Sequence, residues 1–285
     1  MQNGKYLLWH HNHGGWNFNF RNPAWISGGI EKDGKIIWGQ PEILLYEDSI
    51  NMRMSYPDLI EQDEKYWITE TNKEEARCHE IPGNYFEKLW SSAKKEILSC
   101  EVLYTEWNED DLIPNSTLEN PYIKGNKFQR GFTINMKIQL GDLASNQLIL
   151  SSIRGNDKLI ELRTADYGSV KIILKDGLDI TEWYSDPGLI KAYGEHDVAV
   201  IVDNESRTIQ FVVDGKLCNG RDFRQYGWTH FDTNIDWIDF KRIQIGNLLT
   251  GQLRPKGRIA NLRIYDSPLM NAEIISNHRQ SVKDN

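Results

Sequence analysis

The residue types best suited to chemistry crowd into the first quarter of the chain: His11 and His13, Arg21, Arg53, Tyr56, Asp58 and Glu70. An arginine presents a planar fork that pairs bidentately with a carboxylate, where a lysine offers only a point charge. Arg21 therefore reads as a holder of an anionic ligand, with Arg53 as a second anion candidate and Asp58 as a polar neighbour. Tyr56 and Glu70 add a hydroxyl and a carboxylate to the same short strands, and are the catalytic candidates if this stretch does chemistry. Each has a plainer role too. Arg21 could pair with Glu31 or Asp33, Tyr56 could pack at a strand edge with Pro57 stiffening a turn, and Glu70 could be a solvated strand residue. His11 and His13 would project to one face of a strand. No third metal ligand stands nearby, so hydrogen bonding in a cleft or surface exposure competes with metal binding.

Short strands with tight turns must position these residues. Ala24–Ser27 and Lys35–Trp38 flank a hairpin whose Asp33-Gly34 supplies the two positive-φ positions. Residues 42–46, 59–61, 66–70 and 77–81 read as further strands, and 84–96 as a helix with Asn84 at its N-cap. Residues 105–127 are polar, with Pro114 and Pro121, and read as a linker and crossover. From Phe132 onward the alternation is strictly that of β-strands, ending in a helix over 271–280 capped by Asn271. The reading is all-β: partial propeller-type blades over 1–97, then a two-sheet jelly-roll sandwich over 98–285 that includes the crossover.

Composition removes several function classes. At 285 residues the chain suggests two domains, and a 39% hydrophobic fraction suffices for folding. The net charge of −8, with no basic run, argues against nucleic acid. No apolar run is long enough for a membrane helix, and the first ten residues hold no signal-peptide core. Cys78, Cys100 and Cys218 are too few and too scattered for a disulfide framework. No cofactor is expected. Calcium stays unassigned, because Asp142, Asp157, Asp186, Asp232 and Asp236 form no calcium-loop pattern. The 10 Trp and 12 Tyr suit either β packing or stacking on sugars. Trp183 and Trp228, with Tyr184 and Trp237, are the candidates for a sugar platform.

Two resemblances sharpen this. The hairpin Asp197-Val-Ala-Val-Ile-Val-Asp-Asn-Glu-Ser-Arg-Thr-Ile-Gln-Phe-Val-Val-Asp-Gly215 and the closing stretch from Gly257 through Tyr265 to Ile274 resemble laminin-G-like or concanavalin-A-like jelly rolls. Residues 1–97 resemble the closing part of a sialidase propeller. Arg21, followed by a strand, a turn and a tryptophan, is similar to the setting of the third arginine of the sialidase triad. Met54-Ser-Tyr-Pro-Asp-Leu59 resembles the tyrosine segment, which implies Tyr56 as nucleophile. Tyr66-Trp-Ile-Thr-Glu70 resembles the strand whose glutamate orients an arginine. A tyrosine nucleophile suits sialic acid, whose own carboxylate would repel a carboxylate nucleophile, and sialidases depart from the two-carboxylate rule for this class. The family's Asp-box survives only as Asp33 and Trp38, with Glu31 in place of its serine and the glycine displaced to Gly34. About 80 residues cannot close a propeller of several four-stranded blades, so the resemblance implies either the C-terminal part of a longer, secreted or periplasmic exo-glycosidase or a propeller without sialidase chemistry. The expected partner is a glycan. The rival readings are a non-catalytic glycan-binding or adhesion module and a structural support domain.

Overall fold

The structure, a computed structural model, describes residues 1–11, 21–47, 49, 52–63, 65–98, 105–119, 128–155, 157–224, 226–246 and 257–283. The chain divides into two compact units, residues 1–100 with 270–285 and residues 101–269. Nearly all of it is antiparallel β-structure.

The first unit holds β1 (Tyr6–His10), β2 (Ala24–Lys32), β3 (Lys35–Trp38), β4 (Glu42–Leu45), β5 (Ser55–Gln62), β6 (Lys65–Thr71) and β7 (Ala76–Ile81), with helices α1 (Gly83–Lys94) and α2 (Asn271–Lys283). Strand β2 pairs β1 along one edge and both β3 and β4 along the other, so this sheet is not the consecutive meander from which a propeller blade is built. Strands β5, β6 and β7 form a separate three-stranded meander. The β2–β3 turn places Asp33 and Gly34 at φ 52° and 73°, as the Asp-Gly pair dictates. Helix α1 buries Phe86, Leu89, Trp90 and Ala93, the 3.6-residue stripe of its sequence, against Ala24, Ile26, Leu45, Met54, Ile68 and Ile81. Its approach to β2 requires a glycine: a Cβ on Gly28 would stand 2.8 Å from Leu89 Cβ.

Both helix N-termini differ from expectation. Pro82 is the N-cap of α1 and no side chain caps it, so Asn84 lies inside the first turn. Proline fits at a helix start because it lacks a donor that would go unmet there. At α2, Asn271 is the first helical residue, and the cap comes from Glu42, remote in sequence. Glu42 accepts the Asn271 and Ala272 N–H groups at 2.9 and 2.7 Å. The sequence reading counted this helix with the jelly roll; its cap and its Lys88–Glu273 ion pair at 2.7 Å tie it to the first unit.

The second unit holds β8 (Thr105–Asn108), β9 (Thr117–Glu119), β10 (Gly131–Gln139), β11 (Leu148–Arg154), β12 (Lys158–Ala165), β13 (Ser169–Asp176), β14 (Asp179–Tyr184), β15 (Glu195–Asp203), β16 (Thr208–Val213), β17 (Lys216–Leu217), β18 (Trp228–His230), β19 (Arg242–Ile245) and β20 (Arg258–Tyr265). One sheet runs β17-β16-β15-β10-β20-β8, with β18 also on β16; the other runs β14-β13-β12-β11-β19-β9. Alternate residues interlock as the core: Phe132, Ile134, Met136 and Ile138 from β10, Val198, Val200 and Val202 from β15, facing Ile160 and Leu162 from β12 and Val170, Ile172 and Leu174 from β13. The polar stretch expected to be a linker instead contributes β8 and β9, one outermost strand to each sheet.

Candidate functional site

In the first unit one of the residues singled out from the sequence, Glu70, sits at the centre of a charged cluster. Glu70 is 1% exposed. Its Oε1 accepts from Arg77 Nε at 2.5 Å and lies 3.2 Å from His79 Nε2. Arg77 Nη1 donates to Glu47 at 2.9 Å. Strand register makes this possible, because Glu70 on β6 stands opposite Arg77 on β7. Two buried atoms of the cluster, Glu70 Oε2 and Arg77 Nη2, have no hydrogen-bond partner among the described residues. Arg77 escaped the sequence reading because Ala76-Arg-Cys-His-Glu-Ile81 reads only as a strand.

The other candidates are dispersed. Arg21 donates to the Ser55 hydroxyl at 2.7 Å, and not to the carboxylates that its plainer reading proposed. Tyr56 is 69% exposed with φ 52°, and among the described residues no group hydrogen-bonds its phenol. Asp58 turns back to the N–H of Leu59 at 2.9 Å. Arg53 lies in the irregular segment before β5. His11 meets the Trp9 ring edge-on at 6.1 Å, and His13 lies outside the described residues. Among the described residues no three His, Cys, Asp or Glu side chains gather as a metal site.

The tryptophans expected to form a platform in the second unit lie in or against its core. Trp228 is 8% exposed. Trp183 lies against the core, with the Arg224 guanidinium 4.3 Å over its ring and its N–H donating to Gly227 O. Trp237 is buried as well. Asp186, one of the loop carboxylates, is spent on the chain itself: it accepts the N–H groups of Asn219 and Gly220 and the Arg224 guanidinium, at 2.8 to 3.0 Å.

The exposed rings lie elsewhere. A pocket of about 340 Å³ opens where the β10–β11 connection, the β12–β13 turn and the loop before β18 meet. Ser145, Asn146, Asp166, Lys171, Tyr184 and Arg224 give it polar walls, and Tyr167 and Phe223 are the aromatic residues of its loops. These two rings are 81% and 65% exposed. Tyr167 sits at φ 58° ahead of Gly168 at φ 64°, in the three-residue turn that joins Ala165 to Ser169. A bulky side chain in that region is unfavourable and is found where the surroundings give it a use. The floor is fixed by charge pairing. Glu182 accepts from Lys171 at 3.0 Å and from the Tyr184 hydroxyl at 2.7 Å. Burial opposes the charge on Glu182, but these two donors hold its carboxyl below the usual range. The same hydrogen bond to Glu182, aided by burial, pushes Tyr184 up to about 12. The Ser145 hydroxyl donates to Asp166. Neither Tyr167 nor Phe223 had a sequence signal beyond Tyr-Gly at a turn.

No family model matches the chain, and no curated protein matches its sequence. Solved structures do resemble parts of it. The carbohydrate-binding module CBM40 of the Ruminococcus gnavus IT-sialidase aligns at TM-score 0.41 and 18% identity, over 53% of this chain and 84% of that one. That module has also been solved bound to alpha2,3 sialyllactose. The leech intramolecular trans-sialidase aligns at TM-score 0.46 and 17% identity, over 62% of this chain and 28% of that one. The receptor-binding domain of botulinum neurotoxin type G aligns at TM-score 0.42 and 13% identity, over 72% and 49%. At these identities the likeness is one of all-β fold. The chain matches little more than a quarter of the trans-sialidase's length.

Proposed function

We propose that the second unit is a carbohydrate-binding module whose loop pocket takes a saccharide ring. The observation that carries this is the pair Tyr167 and Phe223, two exposed rings at a pocket whose polar walls are hydroxyl, amide and carboxylate groups and two paired cations. A sugar has apolar C–H faces and hydroxyl edges. Rings serve the first, and Asn146, Asp166 and Ser145 serve the second. The cations at the floor are already paired, Lys171 with Glu182 and Arg224 with Asp186, so this pocket favours an uncharged ring. Glycan-array screening followed by titration with the best neutral saccharide tests it. Tyr167→Ala and Phe223→Ala should each weaken binding by about fivefold to tenfold, the worth of one stacking ring. Unchanged affinity in both variants, or no glycan bound at all, defeats the reading.

A second reading rests on the Glu70–Arg77 pair. The resemblance to sialidases assigns Glu70 the task of orienting an arginine, and Arg77 is the arginine it holds. On this reading the first unit contributes Arg77 to the carboxylate-binding part of an exo-glycosidase site, with Arg21 and Tyr56 as further contributors. Arg77→Lys in the full-length protein should then raise KM for an acidic-sugar glycoside more than it lowers kcat. An unchanged KM would rule Arg77 out.

A further inference from the structure

The outer face of the six-stranded sheet carries a second pocket, of about 320 Å³, lined by Thr117, Ser151, Ile153, Gly155, Arg242 and Gln244. Register builds it. Thr117 on β9 stands opposite Gln244 on β19, and Gln244 opposite Ser151 on β11, so three uncharged polar side chains form a row across three strands. Arg242, two residues from Gln244 along β19, projects to the same face.

Two independent features mark this pocket as unfinished. Ser151 is 1% exposed, yet among the described residues its hydroxyl has no hydrogen-bond partner. Buried hydroxyls are nearly always satisfied, so one that faces a pocket signals an absent partner. Arg242 is exposed, and among the described residues nothing hydrogen-bonds or ion-pairs its guanidinium, including Glu119 opposite it on β9. Its neighbours on the same face differ: Arg163 is held by Glu161 at 2.6 Å and Lys171 by Glu182 at 3.0 Å.

We propose that this pocket binds the carboxylate of an acidic sugar. The Arg242 fork takes the carboxylate bidentately. The Ser151 hydroxyl donates to it or to the adjacent ring oxygen, Gln244 and Thr117 meet ring hydroxyls, and the exposed Ile153 lies against a C–H face. One cation among uncharged donors suits a monoanion; a phosphate dianion calls for more positive charge than this. Naming a sugar rests on the module reading above, because the pocket lies on the sheet whose far strands, β13 and β14, supply Lys171 and Tyr184 to the loop pocket. The preference for a carboxylate does not rest on it.

Calorimetric titration of the full chain with N-acetylneuraminic acid, glucuronic acid and their methyl esters tests the proposal, alongside the neutral saccharide chosen for the loop pocket. At least one free acid should bind. Its ester should bind about tenfold more weakly, and Arg242→Gln should weaken the acid by a similar factor, the scale of a charge-assisted hydrogen bond. Ser151→Ala should weaken it less. Lys216→Gln, which neutralises an exposed cation on the other sheet, should leave the acid's affinity unchanged, with all variants unfolding at the wild-type temperature. An ester that binds as well as its acid, or an Arg242→Gln protein that binds the acid as wild type does, overturns the proposal. Neutral saccharides binding while both acids fail would overturn it and leave the loop pocket standing. If no saccharide binds, both readings fall.

Discussion

Glu70 and Arg77 face each other across β6 and β7 and share a 2.5 Å hydrogen bond, with Glu47 closing on the far side of the guanidinium. The carboxylate is wholly enclosed, whereas the arginine keeps part of its side chain in water. The two partners are therefore not equivalent. Removing Arg77 strands a buried charge; removing Glu70 leaves a cation that still has Glu47 and solvent. Arg77→Leu should destabilise the first unit by about 3–5 kcal/mol, the cost of breaking a buried pair. Glu70→Gln should cost distinctly less. Urea unfolding of both variants decides it, and equal losses would contradict the asymmetry.

The β2–α1 contact predicts a steric effect. Gly28→Ala would drive a methyl group into Leu89, where both its side chain and its backbone lie within 2.9 Å. Helix and strand must then separate, at a cost of about 1–3 kcal/mol for overpacking. Gly34→Ala, in open space at φ 73°, should lose only the turn's conformational preference, about 1 kcal/mol. Thermal melts ranking Gly28→Ala below Gly34→Ala are the expected result.

Glu42 links stability to pH. Burial pushes its carboxyl up to about 8, against the pull of the Ala272 and Asn271 N–H groups. A folded-state value above the unfolded one means that the folded protein holds the proton more tightly. Stability from this group is then fully present below about 4.5 and declines as pH rises towards about 8. Glu42→Gln should flatten that decline. Unfolding midpoints at pH 5, 6.5 and 8 for both proteins provide the comparison, and parallel curves would refute the assignment.

The cysteines should separate by reactivity. Cys78 is exposed on β7, whereas Cys218 is buried, and burial pushes its thiol up to about 12. Nucleophilic attack needs the thiolate. Brief iodoacetamide treatment of the native protein, followed by peptide mass mapping, should find Cys78 modified and Cys218 untouched; labelling of Cys218 would mean that the loop over it opens.

Much of the architecture was legible because it depends on local rules. Alternating apolar residues announced β10, β12, β13, β15 and β16, and the Asp33-Gly34 and Asp214-Gly215 pairs fixed two hairpins with both residues at positive φ. What stayed hidden depends on pairing between distant segments. The cap of α2 comes from Glu42, which no motif near Asn271 could reveal. Tryptophan abundance pointed to a sugar platform, but large rings serve cores as readily as ligands, and Trp228 and Trp237 went inside. The exposed rings were a tyrosine and a phenylalanine on turns. Arg77, Ser151 and Arg242 acquire meaning only from register, since a strand sequence does not state which residue will stand opposite.

The polar stretch that furnishes β8 and β9 also governs how the chain can be divided. Because each is the last strand of its sheet, a fragment begun after residue 119 would leave β20 and β19 as open edges at once. Two unguarded rows of backbone donors and acceptors on one molecule invite pairing with other copies, and two such rows allow chains to grow in both directions. A soluble second unit therefore has to start upstream of Thr105 and keep the whole segment whose composition most resembles a dispensable spacer.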